Sequence, residues 1–102
     1  MVFDTILRGG TVMDGSGKAG FRADVGMLDG KIAAVGNLTD ARASRSLDVT
    51  GRLVTPGFLD IHRHADAAIF RPGFGDAELC QGLTTIINGN CGLSAAPSGG
   101  AY

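Results

Sequence analysis

The sequence predicts a mixed β and α/β fold, in which a β-rich first half is followed by the start of a parallel strand–helix–strand unit. The chain has 102 residues and 17 glycines, and the mixed residues between the glycines indicate tight turns that separate short strands. The second half contains two apolar, strand-like segments, 57–62 and 83–88, with a more polar segment between them. Because that order is typical of a parallel α/β unit, we divide the chain into domains 1–55 and 56–102.

Turn signals organise the first half of the chain. Asp29-Gly30 lies between two apolar segments, which is the strongest short-range signal for a β-hairpin. Gly9-Gly10, the segment 14–17 and Thr50-Gly51 are also predicted to turn the chain. The polar segment 40–45 is predicted to be a loop or a short helical turn. The predicted strands are 3–8, 11–13, 23–28, 31–36, 46–49 and 52–54.

The second half has fewer and more apolar elements. The segment 57–62 is an apolar run with polar residues at its end, which indicates a buried strand. A short helix is predicted over 76–81, with Gly82 closing it. The β-branched segment 83–88 is predicted to be a second buried strand, and the glycine-containing loop 89–92 follows it.

Composition and charge exclude several classes of protein. Hydrophobic residues make up 44% and charged residues 19% of a chain with a net charge of -1, which indicates a globular protein. Because lysine and arginine do not cluster, we expect no binding to nucleic acid or to a membrane surface. The sequence shows no secretory signal and no apolar run of membrane-spanning length, and two cysteines suit free thiols in a reducing compartment. We therefore expect a cytoplasmic protein.

The strongest chemical signal is a pair of histidines at the end of the first apolar strand. His62 and His64 are the only two histidines of the chain, and residues two apart on a strand point to the same side, roughly 7 Å apart at Cα. Neutral imidazoles suit Zn²⁺ and related metals. Asp60 lies on the same face of a regular strand and could orient a histidine or a metal-bound water. The alternative is that both histidines are ordinary surface residues, but their position after an apolar strand favours a metal site.

Cys91 is the second candidate ligand. It lies in the loop after the second apolar strand, and consecutive parallel strands end on the same side of a sheet, which would bring Cys91 towards His62 and His64. A metal ion would bind its thiolate. The alternative is a buried structural cysteine, which is the interpretation we adopt for Cys80.

Other polar residues receive structural interpretations. Arg63 should point away from the histidines on a strand and is predicted to be structural. Asp66 could contact a metal, a substrate or the backbone. Asp76 and Glu78 are predicted to be ordinary charges on the surface of the short helix.

At these positions the sequence resembles the amidohydrolase superfamily. The segment 54–64 has its pattern of Pro-Gly-hydrophobic-hydrophobic-Asp-x-His-x-His. The segments 81–85 and 89–92, the latter reading Gly-Asn-Cys-Gly, resemble the N-acyl-D-amino-acid deacylase branch of that superfamily, as do 6–12 and 14–17 near the start. The resemblance covers nearly the whole chain.

The resemblance implies a small β-sandwich, built from both ends of a longer chain and attached to a (β/α)₈ barrel. The first half would form the N-terminal part of the sandwich, and 57–62 and 83–88 would be the first two barrel strands. The metal ligands of the family would correspond to His62, His64 and Cys91. Arg63 replaces the small residue expected between the histidines. This difference leaves the exact substrate undetermined but does not affect the two histidine ligands.

The resemblance also implies an activity. Members of this branch hydrolyse the amide of N-acyl-D-amino acids, usually with one or two Zn²⁺ ions. A barrel of this kind needs about 250 residues, and the further histidine ligands and the catalytic aspartate of the family lie later in it. We therefore interpret the chain as an N-terminal fragment, and we expect it to bind metal weakly and to lack deacylase activity alone.

Two other interpretations stay open. The chain could be a non-catalytic, β-rich module that binds metal or assembles with copies of itself through exposed strand edges. It could also be one half of a split amidohydrolase whose second polypeptide supplies the rest of the barrel.

Overall fold

The structure, a computed structural model, describes residues 2–94. The chain divides after Pro56 into two compact units, and the part of the predicted second domain beyond Ser94 lies outside the described residues. Most of the described secondary structure is β-strand. Between residues 2 and 94, no helix is long and apolar enough to cross a bilayer.

The first unit is a five-stranded sheet. Its strands are β1 (Val2–Val12), β2 (Phe21–Leu28), β3 (Lys31–Gly36), β4 (Arg42–Asp48) and β5 (Leu53–Val54). The strand order is β3-β2-β1-β4, and β5 pairs with the C-terminal end of β1. The pairs β1–β2 and β2–β3 are antiparallel, whereas β4 and β5 run parallel to β1. Phe3, Ile6, Val12 and Val25 are buried and form its apolar core.

The hairpin at 29–30 and the turn at 14–17 form where the sequence predicts them. Asp29 and Gly30 join β2 to β3 with φ values of 51° and 71°, the left-handed pair that a two-residue hairpin loop requires. The Asp14 carboxylate accepts the Ser16 N–H at 2.9 Å, as expected for an aspartate-led turn. The predicted hairpin is therefore confirmed. Self-association through exposed edges of the two apolar strands of the second half stays a prediction.

The predicted turn at Gly9-Gly10 is wrong. Strand β1 continues through both glycines and carries a β-bulge between Leu7 and Gly10. Gly9 takes a φ of 73°, and its N–H donates to the Asp24 carboxylate at 2.8 Å. The residues on both sides of the glycines pair with β2, so the positive φ is absorbed as a bulge rather than as a reversal of the chain.

The predicted loop or helical turn over 40–45 is also wrong, because β4 begins at Arg42. This polar strand pairs in parallel with β1. The Arg8 guanidinium strengthens that edge, since it donates to the carbonyl oxygens of Leu38 and Ala41, both at 2.9 Å. Long-range pairing therefore outweighs the weak local β-preference of this segment.

The second unit contains a parallel strand pair with a short helix between its strands. Strand β6 (Phe58–Asp60) pairs in parallel with β7 (Leu83–Ile86), and α1 (Asp76–Cys80) lies between them in sequence. The predicted strand–helix–strand order is confirmed. Both strands end two residues earlier than predicted. Single 3₁₀ turns occur at Ala68–Phe70 and Asn90–Gly92.

Close approach of β6 and β7 makes Gly57 sensitive to substitution. A Cβ at Gly57 would overlap the side chain of Thr84, including its rigid Cβ. We expect Gly57→Ala to destabilise the protein by about 1–3 kcal/mol, because the strands must separate to admit the methyl group. Urea unfolding monitored by circular dichroism measures the change. Adding Thr84→Ala to this variant should recover part of the lost stability. If the double variant is as unstable as Gly57→Ala alone, overlap with Thr84 is not the cause.

Candidate metal centre

Three candidate ligands converge in the second unit. His62 and His64 follow β6, and Cys91 follows β7. One ligand atom from each residue lies within 4.8 Å of the others. The Cys91 Sγ is 3.4 Å from the His62 Nε2, and the two imidazole rings lie edge-to-face with centroids 5.3 Å apart. All three side chains are exposed to solvent, so the cluster has an open side.

The histidines converge by a different route from the one predicted. Strand β6 ends at Asp60, so neither His62 nor His64 belongs to a regular strand. The chain bends after Asp60, whose carboxylate accepts the backbone N–H of His62 at 3.1 Å. Asp60 also contacts the Arg63 guanidinium at 3.5 Å. The described contacts of the Asp60 carboxylate are thus with the backbone and with Arg63 rather than with an imidazole, and its role towards a metal-bound water stays a prediction.

Cys91 has an unusual backbone conformation. Its φ and ψ are 57° and 25°, and Gly89 and Gly92 beside it also have positive φ. A left-handed conformation costs a residue with a Cβ of order 1 kcal/mol and persists where the surroundings impose it. The tight turn that results presents the Cys91 thiol towards His62.

Two asparagines that are not among the predicted site residues join the loops that carry the ligands. The Asn88 Oδ1 accepts the N–H of Ala65 at 3.1 Å. The Asn90 Nδ2 donates to the carbonyl oxygens of Ile87 at 2.8 Å and Arg63 at 3.3 Å. Their signal was present in the sequence: two asparagines flank Gly89 immediately before Cys91, and an amide both donates and accepts.

The charged residues around the site are arranged partly as predicted. Arg63 is structural, as expected, because its guanidinium forms ion pairs with Asp60 and Glu78. The prediction for Glu78 is wrong: this side chain is only 14% exposed and is not an ordinary surface charge. Its proximity to Arg63 depends on how α1 packs, which local sequence does not reveal. Asp66 contacts the backbone, since its carboxylate accepts the N–H of Gly89 at 3.5 Å.

The two cysteines differ in their surroundings. Both are free thiols, as predicted. Cys80 lies at the end of α1 and is exposed, so the prediction that it is a buried structural cysteine is wrong. The short helix has no buried residue among its five members, which explains why a cysteine there is not covered.

The donor set fits a first-row divalent metal. Zn²⁺ binds imidazole nitrogen at about 2.0 Å and thiolate sulfur at about 2.3 Å, so ligand atoms around one tetrahedral ion lie about 3.5 Å apart. The Cys91–His62 distance of 3.4 Å already meets that spacing, and the ligand atoms of the whole set lie within 4.8 Å of one another. Three protein ligands with an open side are typical of catalytic zinc sites.

Comparison with known proteins shows which proteins this chain resembles. No protein-family model matches the chain. The chain is 47% identical over 95 residues to a D-aminoacylase of Alcaligenes xylosoxydans xylosoxydans. The matched segment covers 93% of this chain and 20% of that protein. A solved D-aminoacylase, described as defining a novel subset of amidohydrolases, superimposes on this chain with a TM-score of 0.89 at 46% identity. The match covers 98% of this chain and 21% of the solved one.

A second solved relative carries a metal. The N-acyl-D-glutamate deacylase of Bordetella bronchiseptica, complexed with zinc and a phosphonate inhibitor that mimics the tetrahedral intermediate, superimposes with a TM-score of 0.89 at 41% identity. The match covers 96% of this chain and 21% of that one. The chain thus spans about one fifth of the length of the relatives it matches. Within that fifth, the chain is similar in sequence and in structure to the D-aminoacylase subset of the amidohydrolases.

Proposed function

We propose that this chain supplies the first metal-ligand cluster of a zinc-dependent amidohydrolase that hydrolyses the amide of N-acyl-D-amino acids. The observation that carries the proposal is the convergence of His62, His64 and Cys91 after two adjacent parallel strands. The zinc and phosphonate found with the N-acyl-D-glutamate deacylase support both the metal and the reaction class.

The chemistry of the three ligands suits this role. Two neutral imidazoles and one thiolate would hold the ion, and the thiolate would neutralise one of its two positive charges. When bound, zinc supplies Lewis-acid chemistry at an amide carbonyl and at water. The exposed side of the cluster leaves room for both further ligands and substrate.

The surroundings of the site support a larger assembly. Phe58, Leu59 and Ile61 are more than half exposed, although they lie in or beside a parallel strand, and parallel strands are usually covered on both faces. We propose that β6 and β7 are the first two strands of a (β/α)₈ barrel, and that the sheet of the first unit is the start of a β-sandwich. This assignment gives domains at 1–55 and 56–102.

The isolated chain is proposed to bind metal weakly and to have no deacylase activity. It contains two histidines in total, so it cannot supply further imidazole ligands to a second ion. Metal-dependent release of acetate from an N-acetyl-D-amino acid by the purified chain would contradict this part of the proposal.

A chimaeric enzyme tests the proposed function. This chain would replace the matching fifth of the Alcaligenes D-aminoacylase, and hydrolysis of N-acetyl-D-amino acids would be compared with that of their L-enantiomers. We expect zinc-dependent hydrolysis with preference for the D-enantiomer, which is lost in the same chimaera carrying His62→Ala. A folded chimaera that binds zinc but is equally active with and without His62 would overturn the role of the cluster.

A further inference from the structure

We propose that Asn88 and Asn90, which we term the amide clamp, are positioning residues that hold His64 and Cys91 in the geometry of the metal cluster. The inference rests on the proposed function of that cluster. The three-residue set consists of His62, His64 and Cys91, and both asparagines lie outside the strands, in the segment after β7.

Asn90 couples the two loops that carry the ligands. One N–H of its amide donates to Ile87, three residues earlier in its own loop, at 2.8 Å. The other reaches the carbonyl oxygen of Arg63 at 3.3 Å. Arg63 immediately precedes His64, and Asn90 immediately precedes Cys91. A single side chain therefore links the residue before one ligand to the residue before another.

Asn88 holds the other side of His64. Its Oδ1 accepts the N–H of Ala65 at 3.1 Å, and Ala65 is only 5% exposed. Without this acceptor, a buried backbone donor would lose its hydrogen-bond partner, which is unfavourable in a site shielded from water. The backbone is thus held on both sides of His64 by side chains of the opposite loop.

The two asparagines use opposite ends of their amides. A backbone N–H only donates, so Asn88 must present oxygen to Ala65; carbonyl oxygens only accept, so Asn90 must present nitrogen to Arg63 and Ile87. An aspartate carries acceptors but no donor when ionised. The same Asn→Asp change should therefore preserve the contact at one position and abolish it at the other.

Cobalt binding to the purified 102-residue chain tests the clamp. We expect Asn88→Ala and Asn90→Ala each to weaken Co²⁺ binding by about 10-fold, within the range known for residues that orient metal ligands. Asn88→Asp should restore the affinity lost in Asn88→Ala, whereas Asn90→Asp should not restore that lost in Asn90→Ala. Both aspartates add the same charge near the ion, so a difference between them reports the hydrogen bonds.

The control and a metal-free measurement complete the design. Asn37 also accepts a backbone N–H, from Thr39 at 3.0 Å, but belongs to the first unit, so Asn37→Asp should leave Co²⁺ affinity unchanged. Hydrogen exchange without metal should show the Ala65 N–H protected in the parent chain and in Asn88→Asp, and unprotected in Asn88→Ala. Loss of protection confined to this loop distinguishes release of the clamp from global unfolding.

The outcomes separate this inference from the proposed function. A parent chain that binds no Co²⁺ would overturn the proposed function and the clamp with it. A parent chain that binds Co²⁺, with equal affinities for Asn88→Asp and Asn90→Asp, would overturn the clamp alone.

Discussion

Replacing Cys91 with serine is expected to abolish the thiolate-to-metal charge-transfer absorption of the Co²⁺-loaded chain and to weaken Co²⁺ binding by more than about 100-fold, beyond the range of changes outside the ligand shell. In the proposed site Cys91 would contribute the negatively charged ligand, and its Sγ lies 3.4 Å from the His62 Nε2. Serine keeps the size of the side chain but is a neutral alcohol at pH 7. Titration of the chain with Co²⁺, followed by absorption spectroscopy, measures both quantities.

The second cysteine provides a matched control. Cys80 is also free and exposed, but it belongs to α1 and not to the three-residue cluster. Cys80→Ser should keep both the absorption band and the affinity. His64→Ala should lower the affinity yet keep the band, because the thiolate remains. If Cys80→Ser loses the band while Cys91→Ser keeps it, the cluster has been assigned wrongly.

Replacing Asp24 with alanine is expected to destabilise the protein by about 3 kcal/mol, since two hydrogen bonds to a charged group are lost. The Asp24 carboxylate accepts the N–H of Gly9 at 2.8 Å and that of Leu38 at 3.0 Å, and its side chain is only 14% exposed. It therefore ties the β-bulge of β1 to the segment that follows β3. Urea unfolding at pH 7 measures the loss.

The same carboxylate makes the stability depend on pH. The Gly9 N–H holds the pKa of Asp24 below its usual value, and the Leu38 N–H and Arg8 act in the same direction more weakly, while burial opposes them. Because the pKa is lower in the folded state, the contribution of ionised Asp24 is complete above its unfolded pKa of about 3.9 and is lost as the pH falls through the folded value.

Comparison with the variant isolates the contribution of Asp24. The pKa values of Asp14 and Asp48 are also lowered, chiefly by hydrogen bonds from Ser16 and Thr50. The pH dependence of the stability of the parent chain alone would therefore contain contributions from all three carboxylates. The difference in unfolding free energy between the parent and Asp24→Ala should be constant near neutral pH and shrink below about pH 4. A difference that stays constant down to pH 2 would contradict the assignment.

Local rules account for what could be predicted about the fold. The Asp29-Gly30 hairpin follows from two adjacent residues that accept positive φ. The parallel pairing of β6 with β7 follows from two apolar segments with a helix between them. The choice of His62, His64 and Cys91 also came from the sequence, because it depends on residue type and on which ends of adjacent strands the residues follow.

The errors arise where distant segments decide the outcome. Gly9-Gly10 reads locally as a turn, but pairing of both flanks with β2 converts it into a bulge. The segment from Arg42 has little strand character, yet it adds to the free edge of β1. Glu78 reads as a surface charge until the packing of α1 brings it to Arg63. In each case the stabilising contact is made with a residue far away in the sequence, and a local sequence pattern carries no information about that residue.

The sequence by itself determined the chemistry of the candidate site, and the tertiary structure decided its geometry. Residue types and order identify two imidazoles and a thiol after neighbouring strands. Their convergence depends instead on the bend after Asp60, the left-handed backbone of Cys91 and the bonds made by Asn88 and Asn90. The physical reason is that donor chemistry belongs to single residues, whereas the distances between donors depend on hydrogen bonds that close between loops more than 20 residues apart.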